Sequence, residues 1–292
     1  MKKIALYNPC AGNGISEEKL TGIISDCELV DMTKISSYSD FFADKTSDDT
    51  VIICGGDGTL NRFANDTRTL DIPCELMYLA LGTGNDFLKD TGEDASALVP
   101  IKKYLENLPT VLVNGKEYLF INNVGFGIDG YCCEVGDALK AQGETDINYS
   151  SIAIKGLLFH FKPKNAIVTV DGVRHEYKKV WIAPTMNGRF YGGGMMPTPA
   201  QERLDSNGTL SVMIWHGSGK LRTLTAFPSL FKGEHLKHEK MIEVLTGHEI
   251  TVEFDEPCAL QIDGETILGV TSYTASKQPV GGADRLPNAV SV

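Results

Sequence analysis

The chain has 292 residues, enough for two domains of ordinary size, and its 42% apolar and 22% charged side chains exclude a disordered or fibrous protein. Its formal net charge of −11 excludes a general nucleic-acid binder, which needs a basic stripe to displace counterions from phosphates. The total conceals an asymmetry: residues 1–100 carry 8 basic and 17 acidic side chains, residues 140–240 carry 14 and 8, and residues 241–292 carry 2 and 8. The start, MKKIALYNPC, lacks an apolar core of signal-peptide length, and no apolar run reaches the length of a membrane span. The seven cysteines, without CxxC spacing, suit reduced thiols, so a cytoplasmic protein is expected.

In the first hundred residues, short apolar runs at Ile4–Tyr7, Leu29–Val30, Val51–Cys54 and Leu76–Leu81 alternate with helical spacing at Glu17–Ile24 and Asp57–Asn65. Such alternation predicts a parallel sheet covered by helices, with ligand loops at the carboxyl ends of its strands. From about residue 110 the runs become β-branched and turn-separated: Thr110–Val113, Leu119–Val124, Ala166–Val170, Val180–Ala183, Leu210–Trp215, Met241–Leu245 and Ile250–Phe254. This pattern predicts an antiparallel β-sandwich, interrupted by one apolar helix over Tyr149–Phe161. The expected division is an α/β domain over 1–120 and a β-sandwich over 121–274, with 275–292 a candidate to rejoin the first domain.

The most specific local motif is GGDGT, Gly55, Gly56, Asp57, Gly58 and Thr59, between a buried strand and a helix. Glycines after a strand let backbone N–H groups approach a phosphate, and the following helix aims its positive end at the same point. An aspartate in such a loop repels phosphate unless a divalent cation lies between them, and Mg²⁺ binds both. Two more small-residue loops, Asn8 to Gly14 and Gly82 to Phe87, end the first and fourth strand-like runs. A Walker A sequence and the protein-kinase signatures are absent. Gly125 to Gly130 satisfies GxGxxG, but the α/β pattern precedes it instead of following it, which disfavours a dinucleotide site.

NPxxGxG, GGDGT, GTGNDF, GFGID, Tyr191-Gly-Gly-Gly-Met195 and Gln261-Ile-Asp-Gly-Glu265 stand in the order found in the diacylglycerol kinase catalytic family, which the chain resembles from Lys3 to Leu268. GGDGT alone is shared with NAD kinases. The resemblance implies an α/β nucleotide domain, a C-terminal β-sandwich, and ATP with Mg²⁺ between them. It places Asn8, Gly12, Asn13, Gly14, Thr33, Gly55, Gly56, Asp57, Gly58, Thr59, Leu60, Asn61 and Thr83 around ATP. It makes Asp57, Asp86 and Asp129 a water-linked Mg²⁺ network, and draws the general base from Asp263 or Glu265, which strand alternation would set on one face. A structural metal site common in the family falls on Asp205 and Asn207; a neutral amide replaces the usual aspartate there, so a weak site is expected.

The expected activity is transfer of the γ-phosphate of ATP to a lipid hydroxyl, first that of diacylglycerol, giving phosphatidic acid. Other acceptors are a sphingoid base, ceramide or monoacylglycerol; the alternatives are a nucleotide kinase of the NAD kinase type and a non-catalytic regulator. Replacing Asp57 or Asp263 by alanine is expected to abolish phosphorylation and spare the fold. The basic stretch 140–240 is expected to face a membrane during transient association, against a bland reading as a solvated face. Oligomeric state, a homodimer included, is left open.

Overall fold

A computed structural model of the protein describes residues 2–9, 14–82, 84–94, 97–144 and 147–280. The first four apolar runs pair as parallel strands: β1 (Lys3–Tyr7), β2 (Glu28–Asp31), β3 (Thr50–Gly55) and β4 (Glu75–Ala80). A short β5 (Val99–Pro100), antiparallel to β4, completes the order β2-β1-β3-β4-β5. Helices α1 (Glu17–Thr21), α2 (Tyr38–Phe42), α3 (Asp57–Asp66), α4 (Asp86–Thr91) and α5 (Lys102–Leu105) connect the strands. Alternation along β1 and β3 sends Leu6 and Ile53 into one core with Phe63 and Phe87, and Tyr7 and Cys54 into another with Leu20. Both faces are therefore covered, and the central strands β1 and β3 bury nearly every residue.

The second sheet begins with β6 (Thr110–Val113), β7 (Lys116–Leu119) and β8 (Asn123–Gly127), followed by helices α6 (Ile128–Ala141) and α7 (Tyr149–Lys155). It continues with β9 (Lys164–Val170), β10 (Val173–Val180), β11 (Ile182–Met186) and β12 (Leu210–Trp215), then helix α8 (Lys220–Ala226), β13 (Ile242–Gly247), β14 (Glu249–Ile262) and β15 (Glu265–Ser276). Its described pairings are all antiparallel. The 14-residue β14 serves two layers: Ile250–Phe254 pair with β9 and Leu260–Ile262 with β8, with register shifts between them. Those irregularities fold the sheet over one core, where Phe126 lies 4.9 Å from Phe254 and 5.2 Å from Tyr273, ring to ring.

The GxGxxG segment is strand, turn and helix, but in an antiparallel sheet and for packing reasons. A Cβ on Gly127 would stand 2.4 Å from the Trp181 carbonyl oxygen, and one on Gly130 would stand 2.1 Å from that of Ala259. These glycines let α6 lie directly on the sheet.

Strands β6 and β7 belong to the larger sheet, since β6 pairs with β15, so Thr110–Leu119 lie outside the first domain that a boundary near 120 would give them. The change of texture at 110 marks the sheet; its pairing partner comes some 160 residues later, beyond local pattern. Of the tail, Ala275 and Ser276 complete β15, the Gln278 carbonyl accepts from Asn107 Nδ2, and 281–292 lie outside the described residues.

A buried polar seam joins the domains. Asp90 of α4 accepts Arg203 Nε at 2.8 Å and Arg189 Nε at 2.9 Å. Arg203 also donates to Asn122 Oδ1 and the Ile121 carbonyl and lies over the Phe87 ring. Lys277, 3% exposed, donates to Asn187 Oδ1 and to the Arg203 carbonyl. An interdomain cavity of about 360 Å³ opens beside this seam, lined by Asp90, Tyr104, Arg189 and Arg203.

Burial, with the repulsion of Arg203 second, lowers the Lys277 ammonium from 10.5 to about 8, against a smaller pull from Asp205. A lysine depressed on folding costs stability while both states are charged, and the cost vanishes as pH rises from the folded to the unfolded value. Between pH 8 and 10.5 the wild type should therefore gain stability relative to Lys277→Met, by on the order of 2–3 kcal/mol. Parallel urea titrations at several pH values measure that difference; a flat one would show that Lys277 titrates normally.

Candidate active site

Parallel pairing puts the ends of β1, β3 and β4 on one edge, and their loops meet there. Gly56, the N-cap of α3, lies against Gly82 so closely that a Cβ on Gly82 would be 2.7 Å from the Gly56 Cα. A Cβ on Gly56 would meet the Gly82 Cα at 3.3 Å, so the approach requires glycine at 82 and leaves little room at 56. On Gly55 a Cβ would collide with the Thr59 side chain, whereas around Gly58 there is open space within 4 Å. The loops thus press backbone against backbone and leave the first turn of α3 open at Gly58, where its N–H groups can meet an anion.

Asp57 and Asp86 come together at this junction. The Asp57 carboxylate accepts the Asp86 N–H at 2.8 Å and the Phe87 N–H at 3.3 Å, so it caps α4 from the adjoining loop. Asp86 Oδ2 accepts the Gly193 N–H at 2.7 Å, which ties α4 to the triple-glycine turn of the second domain, closed by the Tyr191–Met195 bridge. Burial raises the Asp57 carboxyl above the ordinary range and, with the Asp57 charge adding to it, lifts Asp86 to about 6. Asp86 Oδ1 and the neighbouring Asn85 Oδ1 are both buried acceptors without a hydrogen-bond partner. Two such oxygens beside a second carboxylate are what a hard cation requires.

Asp129, at the start of α6, is engaged otherwise: its carboxylate accepts the Gly130 N–H at 2.9 Å and Gln261 Nε2 at 3.3 Å. Burial lifts it to about 7. The buried Tyr191 hydroxyl feels the charge of both Asp129 and Asp86, and it is pushed well above its ordinary range, chiefly by burial. Among the described residues no three His, Cys, Asp or Glu side chains form one direct metal cluster.

Asp263 departs most from expectation. Asp263 and Gly264 are the two turn residues of a hairpin in which Ile262 faces Glu265, with φ of 46° and 91°. The turn breaks strand alternation, so the two acidic residues do not share a strand face. Asp263 is not solvated either: its carboxylate accepts the N–H groups of Ile121, Asn122 (2.8 Å) and Asn123 (2.9 Å), and Asn61 Nδ2 of α3 at 2.7 Å. These four donors fill the lone-pair positions of a carboxylate. Burial still carries the group to about 6. Glu265 is exposed at the start of β15, on the side of the hairpin that faces Cys133 of α6.

The remaining residues divide. Asn8 follows β1 on the loop edge, Gly14 has a positive φ of 83°, and Thr33, exposed after β2, donates its hydroxyl to Asp31. Gly12, Asn13 and Thr83 lie outside the described residues. Leu60 is fully buried in the core and its N–H donates to the Gly56 carbonyl at 3.1 Å, so neither is turned to a ligand. Asn61 is spent on Asp263 and on the Leu119 carbonyl. Both Asp205 oxygens are taken, one by the Asn207 backbone and amide, the other by the Thr209 N–H and hydroxyl, so this loop does not fit a metal. Sequence reading missed Arg203, Asp90 and Asn85. Arg203 and Asp90 lie in no motif and meet only through the fold; Asn85 sits inside GTGND, a place in the motif that was the available signal, and the structure gives it a φ of 46°.

Gly82→Ala should cost about 1–3 kcal/mol, because the new methyl meets backbone, while Gly58→Ala should be neutral or stabilising by up to about 1 kcal/mol in its open helical position. Thermal unfolding of the two variants measures the contrast; equal losses would show that the loops are not in contact.

The comparison with known proteins agrees with this arrangement. Residues 2–111 match the model of the diacylglycerol kinase catalytic domain, and residues 122–291 match that of the YegS C-terminal NAD kinase beta sandwich-like domain. The chain is 25% identical over 273 residues to a diacylglycerol kinase of Mycobacterium tuberculosis, covering 88% of this chain and 85% of that protein. It is 23% identical over 282 residues to a diacylglycerol kinase of Bacillus subtilis, covering 89% and 88%. A crystal structure of a diacylglycerol kinase from Bacillus anthracis shares the fold, with a TM-score of 0.60 at 22% identity over 95% and 94% of the two chains. With both halves matched in order and the glycine loops meeting around Asp57, the chain belongs to the diacylglycerol kinase catalytic family, the diacylglycerol and lipid kinases.

Proposed function

We propose that this protein transfers the γ-phosphate of ATP to the free hydroxyl of diacylglycerol, giving phosphatidic acid, with Mg²⁺ as cofactor. The observation that carries the reading is the junction of Gly56 and Gly82. It sets the open first turn of α3 beside the half-buried Asp57 and the buried Asp86, which keeps an unpartnered oxygen. The partnerless Asp86 and Asn85 oxygens support a hard cation there, which Asp86, Asn85 and Asp57 would hold, with Asp129 in an outer role. Bound there, Mg²⁺ supplies neutralisation of phosphate charge.

Phosphoryl transfer has a loose transition state, so the protein's main work is to position its groups. The α3 N–H groups at Gly58 orient the phosphates, and the seam of Asp90, Arg203 and Asp263 fixes the second domain over them. A base must offer a free lone pair to the acceptor hydroxyl. Asp263 has none to offer, since four donors hold it, so it is a positioning residue. Glu265, exposed on the same hairpin, takes the proton of the lipid hydroxyl.

Two consequences distinguish this assignment. With ATP, Mg²⁺ and dispersed diacylglycerol, Glu265→Gln should lower kcat by about 100-fold or more at unchanged melting temperature. Asp263→Asn should instead destabilise the protein by about 1–3 kcal/mol, because an amide cannot accept all four donors. Near-normal turnover in Glu265→Gln would remove it as the base. Gly58→Ala should weaken ATP binding at undiminished stability. Assays with monoacylglycerol, sphingosine, ceramide and NAD fix the acceptor class, and phosphorylation of NAD but not of lipid would support the nucleotide-kinase alternative.

A further inference from the structure

The basic stretch 140–240 is not a uniform face. Helix α7 continues without a break into a π-helical turn, Gly156–His160, closed by the Phe161 N–H on the Gly156 carbonyl at 2.8 Å. Such a turn widens the helix and is an uncommon conformation found mostly at functional positions. Its inner side is anchored: Ile152, Leu157 and Phe161 pack with Trp181 and Trp215, and a Cβ on Gly156 would collide with Tyr131 and Ile128, the residues that flank Asp129 by two positions and one. Its outer side carries Ile154, 46% exposed, and Phe159, 71% exposed. Helix α8 lies alongside, with Lys220 Nζ donating to the Leu158 carbonyl, and carries Leu221 at 75% exposure.

Charge separates this surface from an ordinary patch of exposed side chains. Residues 149–164 and 217–233 contain no Asp or Glu, while Lys155, Lys162, Lys164, Lys220, Arg222 and Lys232 fall within them. Lys164 is paired with Glu256 at 3.4 Å, but in a chain of net charge −11 two adjoining segments without acids, carrying exposed apolar side chains and the other cations, are complementary to an anionic lipid surface. We infer that Phe159, Leu221 and Ile154 form a wedge that inserts into the headgroup region of an anionic bilayer, with Lys155, Lys162 and Arg222 holding it there. Rigid packing on the side facing Ile128 and Tyr131 places that bilayer next to the start of α6. The inference rests on the lipid-kinase reading for its purpose but not for its test.

Co-sedimentation of the full protein with vesicles, without nucleotide or diacylglycerol, decides it. Wild type should bind vesicles containing phosphatidylglycerol, and bind phosphatidylcholine vesicles at least about tenfold more weakly at low salt. Phe159→Ser with Leu221→Ser should reduce binding at least about tenfold, while Val173→Ser, at an apolar residue 60% exposed on the β9–β10 hairpin, should not. The triple variant Lys155→Glu, Lys162→Glu, Arg222→Glu should abolish the preference for anionic vesicles. Equal binding by wild type and the Phe159, Leu221 double variant, or equal binding of wild type to both vesicle types, overturns the inference. Phosphorylation of a short-chain, water-soluble diacylglycerol should survive in the double variant. If wild type itself leaves that acceptor unphosphorylated, the acceptor reading fails while vesicle binding still decides the wedge.

Discussion

The arrangement depends on one carboxylate. Asp263 sits in a hairpin turn at a positive φ that aspartate tolerates better than most residues, and gathers the N–H groups of Ile121 and Asn122, between β7 and β8, and of Asn123, the first residue of β8. The fourth bond, from Asn61, reaches across to the helix that opens the glycine loop. A linker whose amides would otherwise be unpaired becomes a fixed hinge. Asp57 and Asp86 repeat the device on a smaller scale: one caps α4 from the adjoining loop, the other takes an N–H of the second domain. Acidic residues that look catalytic in sequence are here fasteners as well, so alanine at Asp57 or Asp263 removes helix or linker bonds and cannot leave the fold untouched.

This double duty explains the energetics of the site. Burial raises Asp57, Asp86, Asp129 and Asp263 alike, so in the free protein each resists ionisation, and the hydrogen bonds offset that only in part. Charge repulsion adds to burial where two of them lie close enough to feel each other, as Asp57 does on Asp86 and on Asp263. Asp86, with one oxygen bonded across the domains and the other unpartnered, stands at the boundary between fastening and binding.

Much of this was legible in the residues. GGDGT and GTGND read as loops at strand ends because glycine has few other reasons to cluster there, and the contact of Gly56 with Gly82 is that reason made physical. The parallel sheet followed from alternation, and the antiparallel second domain from β-branched runs separated by turns. Three things were hidden. The pairing of β6 with β15 joins segments far apart in the chain, which no local pattern could show. The hairpin at Asp263 obeys turn geometry where strand alternation was assumed. Arg203 and Asp90 stand in no motif, and their ion pair exists only because two domains meet.

The most direct measurement of this account is native-state amide hydrogen exchange at Ile121, Asn122 and Asn123 in wild type and Asp263→Ala. If Asp263 holds the hinge, these three amides should be protected in wild type and should exchange at least about tenfold faster in the variant, with amides of the β3 interior unchanged. Equal exchange at the three positions in both proteins would show that the hinge does not depend on Asp263, and the central role given to that carboxylate would be wrong.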